Sequence, residues 1–94
     1  MGAVVENAET TSFTLAATHN GTRIVVTEAL TVTVPTIGVL GNGFECEIVN
    51  DSGGTVIIDG PGSANVSMTD GDVACILEVN GKQRVVEGAS TIIS

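Results

Sequence analysis

The sequence predicts a single all-β domain, either an antiparallel β-sandwich or a small β-barrel of about eight short strands. Three observations on the 94-residue chain support this class. Val, Ile and Thr are abundant while Trp and Tyr are absent, and β-branched side chains fit a pleated sheet better than a helix. Apolar and polar residues alternate in several short segments. Twelve glycines, several of them in Asn-Gly or Asp-Gly pairs, supply turn signals between these segments.

The N-terminal half predicts three strands in succession. Residues 12–17 form a weak first strand that ends in an Asn-Gly turn, a pair that tolerates positive φ. Residues 22–28 and 30–34 form the next two, and the second alternates apolar residues with threonine, which indicates one buried face. Pro35 ends this strand because it has no N–H to donate. A glycine-rich loop, residues 36–43, follows.

The centre of the chain predicts a β-hairpin over residues 43–60. Its first strand alternates apolar with acidic side chains, so that Glu45 and Glu47 share the solvent face. The polar residues 50–54 form the turn, and the β-branched residues 55–58 form the return strand.

The C-terminal half predicts four more strands, at residues 64–68, 73–79, 82–86 and 91–93. The strand at 73–79 is apolar on both faces, which predicts a central strand or one covered by another subunit. The Asn80-Gly81 pair after it is the strongest hairpin signal in the chain.

We divide the chain into an N-terminal arm, residues 1–11, and a β-sandwich or barrel domain, residues 12–94. The arm begins with a short apolar cluster and then turns polar, so it is either a frayed terminus or a segment that adds a strand to another subunit. Two apolar groups near the chain ends are the predicted interaction residues. They are Ala3, Val4 and Val5 in the arm and Ile92 and Ile93 in the last strand.

The charge balance narrows the choice of partners. Eleven acidic residues against three basic ones give a net charge of -8, which repels phosphate backbones and anionic lipids alike. We therefore expect no nucleic-acid partner. No apolar run approaches the length that crosses a membrane, so no membrane partner is expected either. The acidic surface serves solubility or meets a basic partner.

Cys46 and Cys75 lie in alternating strands, and each shares a strand face with apolar neighbours, Phe44 and Ile48 for Cys46, Val73 and Leu77 for Cys75. We therefore expect both of these faces, with their thiols, to point into the core. The sequence starts without a secretory segment, which favours free thiols in a reducing cytoplasm. A disulfide is the alternative if the two strands are neighbours. Two cysteines and one histidine are too few for a zinc site.

No residue pattern predicts catalysis, a cofactor or a metal, and the chain is not expected to be an enzyme. His19 has no nucleophile partner in the sequence and lies in a turn. Asp70 and Asp72 flank a glycine, which is typical of a turn more often than of calcium ligands. Glu45 and Glu47 form an exposed acidic stripe rather than a hydrolytic pair, because general acid work needs a desolvated carboxyl group.

Turn and strand motifs follow one another in a recognisable order over residues 12–88. In sequence they are Asn20-Gly21-Thr22, Thr31-Val32-Thr33-Val34-Pro35, Gly43-Phe44, Ile48-Val49-Asn50-Asp51, Gly54-Thr55-Val56-Ile57, Asp59-Gly60, Asn80-Gly81 and Val85-Val86. This order resembles the small β-structured modules of tailed-bacteriophage virions. Such modules occur in capsid decoration (cement) proteins and in tail-fibre or tail-spike segments.

The resemblance implies a structural virion protein that decorates and stabilises the outer surface of a tailed-bacteriophage capsid. It implies a homo-oligomer, expected to be a homotrimer, seated on the major capsid protein. The chain would be made in the bacterial host cytoplasm and end on the capsid exterior. The alternative is an adhesion or receptor-binding module of a tail fibre or tail spike. Because carbohydrate recognition relies on aromatic faces, the lack of Trp and Tyr argues against sugar binding.

Overall fold

The computed structural model describes residues 5–62, 64–87 and 89–93. The described residues form ten β-strands and one three-residue 3-10 helix, Ala17–His19, which confirms the all-β prediction. The strands are β1 (Val5–Glu9), β2 (Phe13–Thr14), β3 (Thr22–Val26), β4 (Thr31–Thr33), β5 (Phe44–Asn50), β6 (Val56–Asp59), β7 (Asn65–Met68), β8 (Val73–Val79), β9 (Lys82–Glu87) and β10 (Ala89–Ile92).

The strands pack as two sheets, so the architecture is the sandwich rather than the barrel. The larger sheet has six described strands in the order β1-β3-β5-β8-β9-β10. The smaller has four in the order β2-β4-β6-β7. Strand β8 lies between β5 and β9, as its two apolar faces predicted.

The pairing of the strands is mixed rather than purely antiparallel, and this corrects the sequence prediction. Among the described strands, four pairings are parallel: β1 with β3, β3 with β5, β2 with β4, and β4 with β6. The reason is that the first six strands alternate between the two sheets. The chain returns through the other sheet before it re-enters the first, and successive strands of one sheet therefore run in the same direction.

The prediction of a central hairpin is also wrong. Strand β5 belongs to the six-stranded sheet and β6 to the four-stranded one, so the two do not pair. The turn between them is a corner built on Asn50, which is fully buried. Its Nδ2 donates to the carbonyl oxygens of Gly54 (2.9 Å) and Met68 (3.0 Å). Its Oδ1 accepts from the N–H (3.1 Å) and hydroxyl (2.6 Å) of Ser52. One side chain thus ties the end of β5 to the end of β7, across the two sheets.

The hairpin between β8 and β9 has the predicted two-residue turn. Asn80 and Gly81 have φ of 53° and 70°, the positive values that a type I′ turn requires and that Asn and Gly tolerate best.

The core lies between the sheets and consists of the inward side chains of both. It is almost entirely aliphatic, with Phe44 as its fully buried aromatic ring among the described residues. The buried apolar residues are Leu15, Ile24, Val26, Leu30, Val32, Val34, Leu40, Phe44, Cys46, Ile48, Val56, Ile58, Val66, Met68, Ala74, Ile76, Val85 and Ile93.

The C-terminal segment closes one side of the sandwich. After β10, Ile93 turns into the core, where it is 1% exposed. Its N–H donates to the Gln83 carbonyl of the larger sheet (2.9 Å), and its carbonyl accepts from Gly62, in the turn between β6 and β7 of the smaller sheet (3.2 Å). Ile93 therefore links the two sheets.

Strand β1 falls within residues 1–11, the segment that the sequence analysis sets apart as an arm. It pairs along its full length with β3, from Val5 opposite Thr22 to Glu9 opposite Val26. It is the outermost described strand at that side of the larger sheet.

Candidate interaction surface

The most distinctive surface of the molecule is the solvent side of the six-stranded sheet, which we call the outer face. It is formed by every second residue of β3, β5, β8 and β9, together with Ile92 of β10. Val73, Val79 and Ile92 are 47%, 45% and 48% exposed. The apolar residues of the outer face are Val25, Val49, Val73, Cys75, Leu77, Val79, Val86 and Ile92.

The orientation of β8 is the central observation. Its more apolar side, with Val73, Leu77 and Val79, faces outward, while Ala74 and Ile76 face the core. Alternation in the sequence predicts the reverse, because the more hydrophobic set normally faces inward. An apolar strand face left in solvent costs free energy in the isolated chain, and such faces mark sites of association.

Glu78 is the charged residue on the inner side of β8, and its carboxylate is hydrogen-bonded there. Its carboxylate is 3% exposed and accepts hydrogen bonds from Gln83 Nε2 (2.9 Å) and from the Gly38 N–H (3.1 Å). The same Gln83 nitrogen donates to the Pro35 carbonyl (2.8 Å). This cluster is not predicted from the sequence, although strict alternation places Glu78 on the side of Ile76.

The solvent side of the four-stranded sheet is polar by contrast. Thr33, Asp59 and Asn65 lie in one row across it, and Thr31 and Ser67 flank Ile57 in the next. Hydroxyl and amide groups are compatible with water, so this side needs no cover.

Charge is also distributed unevenly. The three basic residues of the chain, Arg23, Lys82 and Arg84, all lie on the outer face. Glu45 and Glu47 lie there as well, and Arg23 forms an ion pair with Glu47 through its Nε. The outer face is therefore the one surface on which both signs of charge occur together.

The register orders these groups into rows. One row runs from Glu45 on β5 through Leu77 on β8 and Arg84 on β9 to Ile92 on β10. Acidic β5 and basic β9 thus flank the apolar stripe of β8.

The cysteines occupy opposite faces of neighbouring strands. Cys46 lies in the core as predicted, but Cys75 lies on the outer face, which corrects the prediction for that residue. Both are free thiols, because side chains on opposite faces of a sheet cannot reach each other. Burial, with a smaller effect of Cys75 and Glu45, raises the pKa of Cys46 to about 12. Burial and the nearby Glu47 and Glu45 raise the pKa of Cys75.

The predicted interaction residues that the structure describes lie in different places. Ala3 and Val4 lie outside the described residues. Val5 begins β1 at the edge of the larger sheet. Ile92 is exposed on the outer face, whereas Ile93 is a core residue, because the two point to opposite sides of the chain.

The carboxylates around β8 serve turns. Asp72 Oδ2 accepts from the N–H (2.9 Å) and hydroxyl (3.0 Å) of Thr69, and these hydrogen bonds lower the pKa of Asp72. Asp70 accepts from the Gly53 N–H (2.9 Å). Partial burial and a hydrogen bond with Asp72 raise the pKa of Glu87. The described residues include no group of three His, Cys, Asp or Glu side chains placed to hold a metal ion.

His19 stabilises the short 3-10 helix. Its Nδ1 accepts the Ala16 N–H (2.9 Å), and its ring lies 5.9 Å from that of Phe13. Around it, as elsewhere in the described part of the chain, no pocket opens in the surface. Among the described residues there is no helix of the length and hydrophobicity needed to cross a bilayer.

No protein-family model and no curated protein matches the chain. The surface itself therefore carries the functional proposal.

Proposed function

We propose that the chain is a structural virion protein that decorates and stabilises the outer surface of a tailed-bacteriophage capsid. The outward side of β8 carries the proposal, because Val73 and Val79 form an apolar stripe on a sheet face that water would otherwise cover. The ordered sequence motifs that resemble phage virion modules support the capsid as the assembly to which the chain belongs. An apolar stripe of this kind suits a homo-oligomer that is seated on the major capsid protein.

The shape of the surface favours protein binding over small-molecule chemistry. A ligand site needs a concavity that encloses most of the ligand, and a sheet face of alternating Val and Leu side chains packs instead on another protein surface. Several copies that bind only the assembled shell stabilise it by mass action, since each binding event favours the assembled state.

In this proposal the chain attaches to the shell at β1, where a strand of the capsid protein pairs with it. This strand is the outermost one described on its side of the sheet, and an edge strand presents backbone donors and acceptors to an incoming strand. The apolar start of the chain, Ala3, Val4 and Val5, supplies side chains that the shell can bury.

The test uses capsids assembled without this chain. Purified protein added to such shells is expected to sediment with them and to raise their melting temperature. The double variant Val4→Asp, Val5→Asp is expected to lose co-sedimentation, because two charges would enter the buried contact. Its circular dichroism spectrum and urea midpoint serve as the folding control. Undiminished binding by the folded variant would remove the arm from the attachment site, and no binding by the wild-type chain would contradict the decoration role.

A further inference from the structure

The outer face has a charge arrangement that is complementary to itself. Glu45 on β5 and Arg84 on β9 lie in one row, on either side of Leu77 on β8. The acidic strand, the apolar strand and the basic strand are consecutive neighbours in the sheet. A second copy laid face to face can therefore match acid with base in one way.

That way is a two-fold axis parallel to the strands and centred over β8. The rotation exchanges the two sides of the sheet, so β5 of one copy lies over β9 of the other. Glu45 of each copy then faces Arg84 of its partner, and Leu77 faces its own symmetry mate. An axis perpendicular to the strands instead places β5 over β5 and β9 over β9, which brings like charges together.

The other features of the face agree with this axis. Face-to-face sheets pack with their strands aligned to within about 30°, as an axis parallel to the strands requires. A two-fold contact uses the same patch on both copies, so self-complementarity is the property it needs.

About this axis five strands overlap, β3, β5, β8, β9 and β10, because β1 has no counterpart on the other side of β8. Strands of 5, 7, 7, 6 and 4 residues, at about 3.3 Å per residue and about 4.8 Å between strands, give roughly 460 Å² per copy. Two such faces bury roughly 900 Å², the size range of weak, reversible interfaces, so the dimer is expected to form in a concentration-dependent way.

We propose that the occupant of the outer face is a second copy of this chain, bound by a two-fold axis over β8 with reciprocal Glu45–Arg84 contacts. This inference rests on the proposed function only in treating the outer face as a protein interface. It replaces the expected three-fold assembly with a two-fold one at this face.

The decisive experiment combines two charge reversals. Sedimentation equilibrium of the wild-type chain is expected to give twice its 9.5 kDa mass. Glu45→Arg and Arg84→Glu each place like charges in both contacts and are expected to weaken self-association by at least about tenfold. An equimolar mixture of the two variants restores opposite charges at both contacts, although neither chain alone has the pair. Native mass spectrometry of the mixture is expected to show the mixed dimer in preference to either homodimer.

Asp59→Arg is the matched control, because it makes the same charge change on the solvent side of the four-stranded sheet. It is expected to dimerise as the wild type does. Alkylation of Cys75 supplies a second readout, since the dimer covers β8. Its rate is expected to fall as wild-type concentration rises, and to fall only at concentrations at least about tenfold higher in the two reversal variants.

A monomeric wild-type chain at all concentrations, a three-fold mass, or a mixture of folded reversal variants that fails to form the mixed dimer would each overturn the proposal. These measurements use the isolated protein, so their failure is distinct from failure of the chain to bind capsids.

Discussion

Asn50 shows how one residue decides the path of the chain. The polar run from Asn50 to Gly54 suits a hairpin turn by composition, and the sequence predicts one. The structure buries the Asn50 side chain instead and satisfies its amide fully, with bonds to Gly54, Met68 and Ser52. Composition alone does not separate the two outcomes, because the carbonyl of Met68 that completes the corner comes from a distant part of the sequence.

Replacement of Asn50 by Ala is expected to lower the free energy of unfolding by about 3 kcal/mol, because it removes four hydrogen bonds of a fully buried side chain, including those to the carbonyl groups of Gly54 and Met68. Urea denaturation followed by circular dichroism measures the change. Asn65→Ala, on the solvent side of β7, is the control and is expected to alter stability by less than about 0.5 kcal/mol. A loss below about 1 kcal/mol for Asn50→Ala would contradict the role of the corner.

Glu87 and Asp72 predict a pH dependence of stability. The raised pKa of Glu87 means that its ionised form is disfavoured in the folded chain, so it opposes folding at neutral pH and ceases to do so as pH falls toward its ordinary value of 4.5. The lowered pKa of Asp72 acts oppositely, and its stabilisation is lost only as pH falls below 3.8.

Glu87→Gln is therefore expected to melt at a higher temperature than the wild type at pH 7, because the amide keeps the shape of the protonated acid without its charge. The difference should shrink as pH falls toward 4.5. Thermal melts at several pH values measure it. Equal melting temperatures at pH 7 would show that the ionised carboxylate is not disfavoured in the fold.

At the scale of elements, the alternation in the sequence located most strands but not their partners. Strands β3 to β9 lie close to their predicted positions, since each carries a local pattern of alternation. Strands β3 and β5 pair in parallel because the chain passes through the other sheet between them, and no local sequence pattern indicates this path. The facing of β8 was predicted wrongly because both of its sides are apolar, and the polar partners of Glu78 come from Gln83 and Gly38, on other segments.

The closing contact of the C-terminal segment gives a prediction at this scale. A Cβ at Gly60 would lie 2.7 Å from the Ile93 Cβ and 2.8 Å from its carbonyl oxygen. Gly60→Ala is expected to lower the free energy of unfolding by about 2 kcal/mol, because Ile93 must shift out of the link between the sheets.

Gly54→Ala is the matched control, because its added Cβ meets the Ala29 Cβ at 3.5 Å, an ordinary contact. It is expected to change the free energy of unfolding by less than about 1 kcal/mol. Chemical denaturation of both variants measures the two changes in the free energy of unfolding. Equal effects of the two substitutions would mean that the segment at Ile93 does not hold the sheets together.

At the scale of the whole molecule, two sheets of different surface character explain the proposed role. The four-stranded sheet presents hydroxyl and amide groups, and the six-stranded sheet presents an apolar stripe with all three basic residues. The sequence predicted part of this surface, through Ile92 and the two apolar faces of β8. It did not predict that Arg23, Lys82 and Arg84 share one face, because that depends on the register of separate strands.

The strand directions also determine where the acidic residues lie. Because β1, β3 and β5 run in parallel and β8 runs against them, the strand ends and loops at one end of the sandwich gather acidic groups. They are Glu9, Glu28, Asp51, Asp70, Asp72 and Glu87. This end repels anions and other copies of itself, which leaves the outer face as the surface suited to association.

The central claim is that many copies of this chain coat a tailed-bacteriophage capsid, and the copy number per particle tests it most directly. Quantitative mass spectrometry of purified particles would measure the chain relative to the major capsid protein. Decoration predicts a ratio near one or a simple fraction of it, set by the symmetry of the shell. A handful of copies per particle would indicate a tail-fibre or tail-spike component, and absence of the chain from purified particles would contradict the virion role.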